Sequence, residues 1–255
     1  MRVLAVRFGP REATSTAYQR AADWVAGRFE AYGYAVRRQR LAVPAGISWG
    51  VPVPAGTTSN VVATPTDFDA AEPHLVVSAH LDTVPQAPGA EDDASGVGVL
   101  LELARMAASH ETRLPAMFVA FAAEEPRGDG EALHHFGSRV MVARMSKPER
   151  RAVSGMVSLD RVGVGTVVPL CAGGLLPPHV RAQLVRAGEQ AAVLTSRCVD
   201  TASDHWSFEL AGMPAARVGG TSYAGYHSAA DLPRVVNPAQ LRRVGVLMWS
   251  WLAGR

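Results

Sequence analysis

The sequence predicts an α/β fold, a single domain on a mostly parallel, mixed central sheet with helices on both faces. Three observations predict it. Residues 73–79 are a short, largely apolar run rich in β-branched residues and 116–122 a continuous apolar run, both of strand length, as expected of strands covered on both sides. Segments of helical periodicity alternate with such runs along the chain, as crossovers between parallel strands require. The 255 residues contain no internal repeat, low-complexity segment or convincing linker, and suffice for one large core. The domain is therefore expected to span residues 1–255, with 1–13 as a poorly ordered extension.

In order, residues 14–32 read as a helix, with Ala17, Ala21, Val25 and Phe29 on one stripe and Gly33 to end it. Residues 34–41 alternate as a strand, 44–58 form a Pro/Gly-rich loop, and 60–64 a short strand. The run at 73–79 leads into His80. After an acidic loop, 94–108 is a helix with Val97, Leu100, Leu101 and Ala104 on its apolar stripe and Asp93 or Ser95 as its cap. The run at 116–122 ends at Glu124-Glu125, followed by a helix at 136–145. A strand at 154–159 ends at Asp160. Residues 178–192 read as helix, 193–199 as strand, 204–210 as helix and 214–218 as strand. A Gly/Ser/Tyr loop closes on His227, and 237–251 is a C-terminal amphipathic helix with Pro238 in its first turn.

A formal charge of +2, with scattered Arg and a single Lys (Lys147), leaves no nucleic-acid footprint. No apolar run reaches the length of a membrane span. Residues 1–7 are too short for a signal peptide, so the chain reads as cytoplasmic as written, and as secreted if its true start lies upstream. Cys171 and Cys198 lack the spacing of a thiolate metal site and read as buried free thiols, or as one disulfide in an exported protein.

Ionisable residues gather at strand ends. His80, Glu124-Glu125 and Asp160 each close a strand, Asp92 stands at a helix start, and His227 follows a fourth strand. Open α/β sheets bind their ligands at that edge. Two His and several carboxylates without thiolate suit a pair of divalent ions such as zinc or manganese. A carboxylate can bridge the pair, and a free carboxylate beside it can act as general base and acid. Asp82, two residues after His80, is placed to accept a hydrogen bond from its other ring nitrogen.

These residues resemble the M28 zinc peptidases, the bacterial aminopeptidase-type two-zinc hydrolases. The resemblance rests on His80-Leu81-Asp82, the stretch 89–96 (G-A-E-D-D-A-S-G), Ala123-Glu124-Glu125, Leu159-Asp160, Ser203-Asp204-His205, and Tyr226-His227 with Asp231. It implies the zinc-exopeptidase version of the fold, which is phosphorylase/hydrolase-like, and two Zn2+ per chain. His80 and Asp160 would hold one ion, Glu125 and His227 the other, with Asp92 bridging. Glu124 would be the general base, Asp82 the support of His80, and Tyr226 the donor to the oxyanion. A cis peptide is implied at Asp92-Asp93. The implied reaction is removal of N-terminal residues from a peptide or aminoacyl substrate by a metal-bridging hydroxide, with the α-amine facing Glu124 and Asp160. A glutaminyl-cyclase-like single-zinc acyltransferase is the alternative on this fold, and such cousins carry Trp before the last His, where this chain has Tyr226. A non-catalytic, receptor-like domain is the third reading. The connection 126–135 is longer than the family's shortest form; His134 and His135 match no family ligand and read as helix-start or rim residues. Pocket walls are expected from 128–135 and 219–225.

Overall fold

Side chains on successive residues of a strand point to opposite faces, and the central strands of this protein are apolar on both. The computed structural model describes residues 1–254; Arg255, the last residue of the expected domain, lies outside the described residues. After a short helical segment, Val3–Phe8, the elements run α1 (Thr16–Ala31), β1 (Ala35–Val43), β2 (Gly46–Ser48), β3 (Val51–Val53), β4 (Gly56–Thr64), β5 (His74–His80), α2 (Ala94–Ala107), β6 (Ala116–Phe121), α3 (Phe136–Arg144), α4 (Lys147–Ala152), β7 (Val153–Asp160), β8 (Val168–Ala172), α5 (His179–Gln190), β9 (Thr195–Val199), α6 (His205–Leu210), β10 (Ala215–Gly219) and α7 (Pro238–Ala253).

One mixed sheet organises them, in the order β1-β4-β6-β5-β7-β10-β8-β9. Its centre, β6-β5-β7-β10, is parallel, so the carboxyl ends of these four strands share one edge. Antiparallel pairs flank that centre, β1 and β4 on one side and β10 with β8 on the other. On β5, Leu75, Val77 and Ala79 join the larger core cluster, while Val76 joins a smaller one. The larger cluster is closed by residues of α1, α2, α5 and α7, such as Val25, Leu100, Leu184 and Leu247. The smaller one is closed by Met141 of α3 and Phe208 of α6. Each such aliphatic or aromatic side chain taken from water contributes roughly 1.5–3 kcal/mol.

Of the two readings left open for the cysteines, the structure has the disulfide: Cys171 on β8 and Cys198 on β9 are bonded across two paired neighbours. The structure departs from the sequence reading in three places. Residues 1–13, expected as a poorly ordered extension, pack instead: Leu4 and Ala5 are buried in the Val3–Phe8 segment, and Arg11 is fully buried. Its guanidinium donates to the carbonyls of Leu81, Pro88 and Gly89 and so braces the loop between β5 and α2. The expected loop at 44–58 contains the β2–β3 hairpin, which turns through Trp49 and Gly50, both at positive φ. Strand β8 and helix α4 were not anticipated. Among the described residues, no helix is long and apolar enough to cross a membrane.

Candidate metal centre

The fold's parallel edge gathers the ionisable residues. His80 is the last residue of the fully buried β5, and Asp160 the last of β7. His80 Nδ1 lies 3.1 Å from the Asp82 carbonyl. A carbonyl only accepts, so Nδ1 is the donor there and Nε2 is turned inward. The Asp82 carboxylate is 3.8 Å from that ring and does something else: its two oxygens accept the backbone N–H groups of Glu124 and Glu125, each at 3.1 Å. It thereby holds the turn that carries the paired glutamates, where Ala123 adopts a left-handed φ of 53°.

Asp92 sits in a loop pinned from far along the chain. The Asp231 carboxylate accepts the N–H of Glu91 at 2.8 Å and of Asp92 at 3.1 Å. Asp93, joined to Asp92 by a cis peptide, caps α2 through Gly96 N and also accepts the N–H of Arg161. Gly89 has a φ of +63°, and a Cβ there would lie 2.4 Å from the Asp92 carbonyl oxygen, so the loop needs glycine. Buried Glu91 accepts from Gly163 N and Val164 N, and burial pushes its carboxyl up to about 8.

The two oxygens of Asp92 face two imidazoles. His80 Nε2 lies 3.0 Å from Oδ1, and His227 Nε2 lies 3.0 Å from Oδ2. His227 Nε2 is also 3.3 Å from Glu125 Oε2. The ligand atoms of His80, Glu124 and Asp160 lie within 4.8 Å of one another, as do those of His80, Asp92 and Glu125. With its proton on Nδ1, a neutral His80 would press a lone pair against a carboxylate oxygen. That contact is stable only with a cation between the two groups, a proton or a metal. Glu125 Oε1 is buried without a hydrogen-bond partner, and the all-imidazole and carboxylate donor set suits zinc. The residues present therefore fit a metal.

Electrostatics tell the same story. Burial disfavours the imidazolium of His80, but Glu124, Asp82, Asp92 and Asp93 outweigh it and hold its pKa well above the ordinary range. Burial likewise opposes His227, which Glu125 and Asp92 raise to about 10. Burial pushes Glu124 up to about 8 and Glu125 to about 7, with neighbouring carboxylates adding to both. Such crowding of buried carboxylates is what a bound cation relieves.

A cavity of about 240 Å³ opens on these groups. Tyr226 stacks on His227 with 3.7 Å between ring centroids. Trp49, at the tip of the β2–β3 hairpin, meets the His227 ring at 4.3 Å. His134 and His135 line the cavity, and His135 Nε2 lies 3.3 Å from Glu124 Oε1. No residue of 219–225 lines it; Trp49, Arg161 and Arg217 do. Arg217, fully buried on β10, donates to Asp160 Oδ1 at 3.0 Å. Asp160 lines the cavity as well, with its Oδ1 already engaged by a guanidinium. Burial would raise the Asp160 carboxyl, but Arg217 and Arg161 keep it below the usual range. Sequence reading missed Trp49, Arg161 and Arg217, because none belongs to a periodic or local pattern. The one usable signal was that Arg217 interrupts an apolar strand.

Comparison with known proteins places the fold and the family. The zinc aminopeptidase BSAP from Bacillus subtilis superposes with a TM-score of 0.86 at 18% identity, over 98% of this chain and 92% of that one. Fimbriiglobus ruber glutaminyl cyclase superposes with a TM-score of 0.82 at 22% identity, over 98% and 92%. At these identities the likeness is one of fold. Aminopeptidase YwaD of Bacillus subtilis is 35% identical over 108 residues, 42% of this chain and 22% of that protein. The chain spans about a fifth to a third of the length of the curated relatives it matches first. The sequence model of Peptidase family M28 matches residues 60–252, a span that holds His80, Asp92, Glu124, Glu125, Asp160 and His227. With most of its length and the whole ionisable cluster inside that match, the chain belongs to Peptidase family M28.

Proposed function

We propose that the protein is a two-zinc exopeptidase, an aminopeptidase that removes N-terminal residues from peptides. The observation that carries this is Asp92, whose two oxygens each face a different imidazole at 3.0 Å, the disposition a carboxylate shared by two ions requires. His80 and Asp160 would hold one zinc and Glu125 and His227 the other, with Asp92 placed to serve both. Further support comes from the family and from relatives named as aminopeptidase and probable zinc metalloprotease.

Bound zinc supplies Lewis acidity, which polarises a carbonyl and brings the pKa of water towards ~7. The side chains do the rest. Glu124, adjacent to the cavity and tethered by His135, takes the proton from the attacking water and delivers it to the leaving amine. Tyr226 keeps its proton, because burial and the Asp92 carboxylate raise its pKa. It donates to the carbonyl oxygen as charge develops there. Asp82 holds the backbone of both glutamates in place.

The test is hydrolysis of aminoacyl-p-nitroanilides by zinc-loaded protein. Turnover that falls roughly 10²–10⁴-fold in Glu124→Gln, the range for loss of a general base, with zinc content unchanged, is expected. Absence of turnover on any aminoacyl or peptide substrate contradicts the reading. A glutaminyl-cyclase-like activity would instead accompany one zinc per chain and cyclisation of N-terminal glutamine.

A further inference from the structure

We propose that Arg161 is a substrate-specificity residue, whose guanidinium binds a carboxylate of the substrate next to the scissile bond. This rests on the exopeptidase reading above and names the class of substrate that site takes. Arg161 follows Asp160 directly and lines the cavity with Tyr226, Trp49 and the candidate ligands. Its side chain is 14% exposed. Its Nε is 3.5 Å from Asp160 Oδ1, an ion pair without a hydrogen bond, and that oxygen already accepts from Arg217 at 3.0 Å. Among the described residues, no acceptor reaches its terminal nitrogens. A guanidinium offers five donors in a fixed fork that matches a carboxylate.

The side chain is held ready for such a partner. Its guanidinium carbon lies 4.4 Å from the centroid of the Tyr226 ring, a cation–π contact that fixes its plane. Its backbone N–H donates to Asp93 Oδ1, and its carbonyl accepts from Gly220 N. Arg161 also adopts a left-handed φ of 55°, a conformation uncommon for a side chain of this kind and often kept at working sites. On this wall of the cavity Arg217 is paired with both Asp160 and Asp200, which leaves the Arg161 guanidinium as the group with donors to offer. A substrate carboxylate is attracted to it. The carboxylate can be an acidic side chain of the N-terminal residue or the terminal carboxylate of a short peptide.

Zinc-loaded protein is titrated calorimetrically with aspartate and asparagine, and with N-acetylalanine and its amide. Cleavage of Asp-, Glu- and Leu-p-nitroanilide and of N-acetyl dipeptides is measured alongside. We expect the charged member of one pair to bind roughly 10- to 100-fold more tightly, the size of a charge-assisted hydrogen bond. The corresponding substrates should be preferred by a similar factor in kcat/KM. Preference for aspartate assigns the carboxylate to the side chain; preference for N-acetylalanine assigns it to the terminus. Arg161→Met should collapse the ratio, and Arg161→Lys should retain part of it. Equal binding within both pairs, or a ratio unchanged in Arg161→Met, overturns the proposal, and the wild-type comparison stands even if a variant does not fold. If no peptide or aminoacyl substrate is cleaved yet the Arg161-dependent binding ratio is present, the exopeptidase reading fails while the assignment of Arg161 holds.

Discussion

Asp82 shows how one side chain can serve a site without touching the reacting atoms. Its two oxygens hold the backbone of Glu124 and Glu125, and its carbonyl takes the Nδ1 side of His80. Truncation leaves two buried N–H groups without partners, each costing about 1–3 kcal/mol, and loosens the proposed ligand Glu125 and the proposed base Glu124 together. Asp82→Ala should therefore lose roughly 2–4 kcal/mol in urea unfolding and ~10- to 100-fold in zinc affinity by competition with a chelator; unchanged zinc affinity would refute this role. A second residue sets a pH response outside the candidate metal cluster. His205 is fully buried, and burial lowers its pKa to about 4. Below an unfolded value of about 6.5 the unfolded chain binds a proton that the folded protein refuses, so stability falls as pH drops from ~6.5 towards ~4. Between pH 7 and pH 5 the wild type should lose about 2 kcal/mol more than His205→Asn. Parallel losses would contradict the assignment.

Among the elements, the β8–β9 pair at the sheet edge depends on its crosslink. Strand β9 pairs only with β8 among the described residues and is largely exposed. The disulfide closes a loop of sequence separation 27, for which chain entropy alone gives roughly 3.5 kcal/mol. Replacing both cysteines by serine should lower the unfolding free energy by about 2–4 kcal/mol, and a reductant should affect the wild type but not the double variant. An unchanged wild type under reductant would mean the bond contributes nothing. The element scale also shows what sequence could carry. Buried strands announce themselves as apolar runs that stop at a charge, which made His80, Glu124-Glu125 and Asp160 visible. Strand β8 escaped because Val168–Ala172 contains Pro169 and is short, and α4 was passed over although Ser146 and Glu149 form a capping box. The hairpin was hidden in a Pro/Gly-rich stretch whose Trp49-Gly50 turn gives no periodic signal. The disulfide was open in sequence, since pairing depends on which strands become neighbours.

At the scale of the molecule, the parallel centre of the sheet brings strand ends from distant parts of the chain to one edge. The contacts that complete the site span the chain: Asp231 holds Glu91 and Asp92 from about 140 positions away, and Arg217 reaches Asp160 across 57. Nothing local encodes such pairs, which is why the ionisable cluster could be read from sequence while the partners of Asp231 and the guanidinium wall could not. Gathering Asp92, Glu124, Glu125 and Asp160 in a buried space costs stability unless cations join them. Metal binding and folding are therefore coupled, and removal of zinc should lower the melting temperature. The most direct measurement of the central claim is anomalous diffraction at the zinc edge from crystals of the zinc-loaded protein. The account predicts two peaks about 3.5–4 Å apart, on either side of the Asp92 carboxylate, one beside His80 and Asp160 and the other beside Glu125 and His227. A single peak, or peaks away from Asp92, would contradict it.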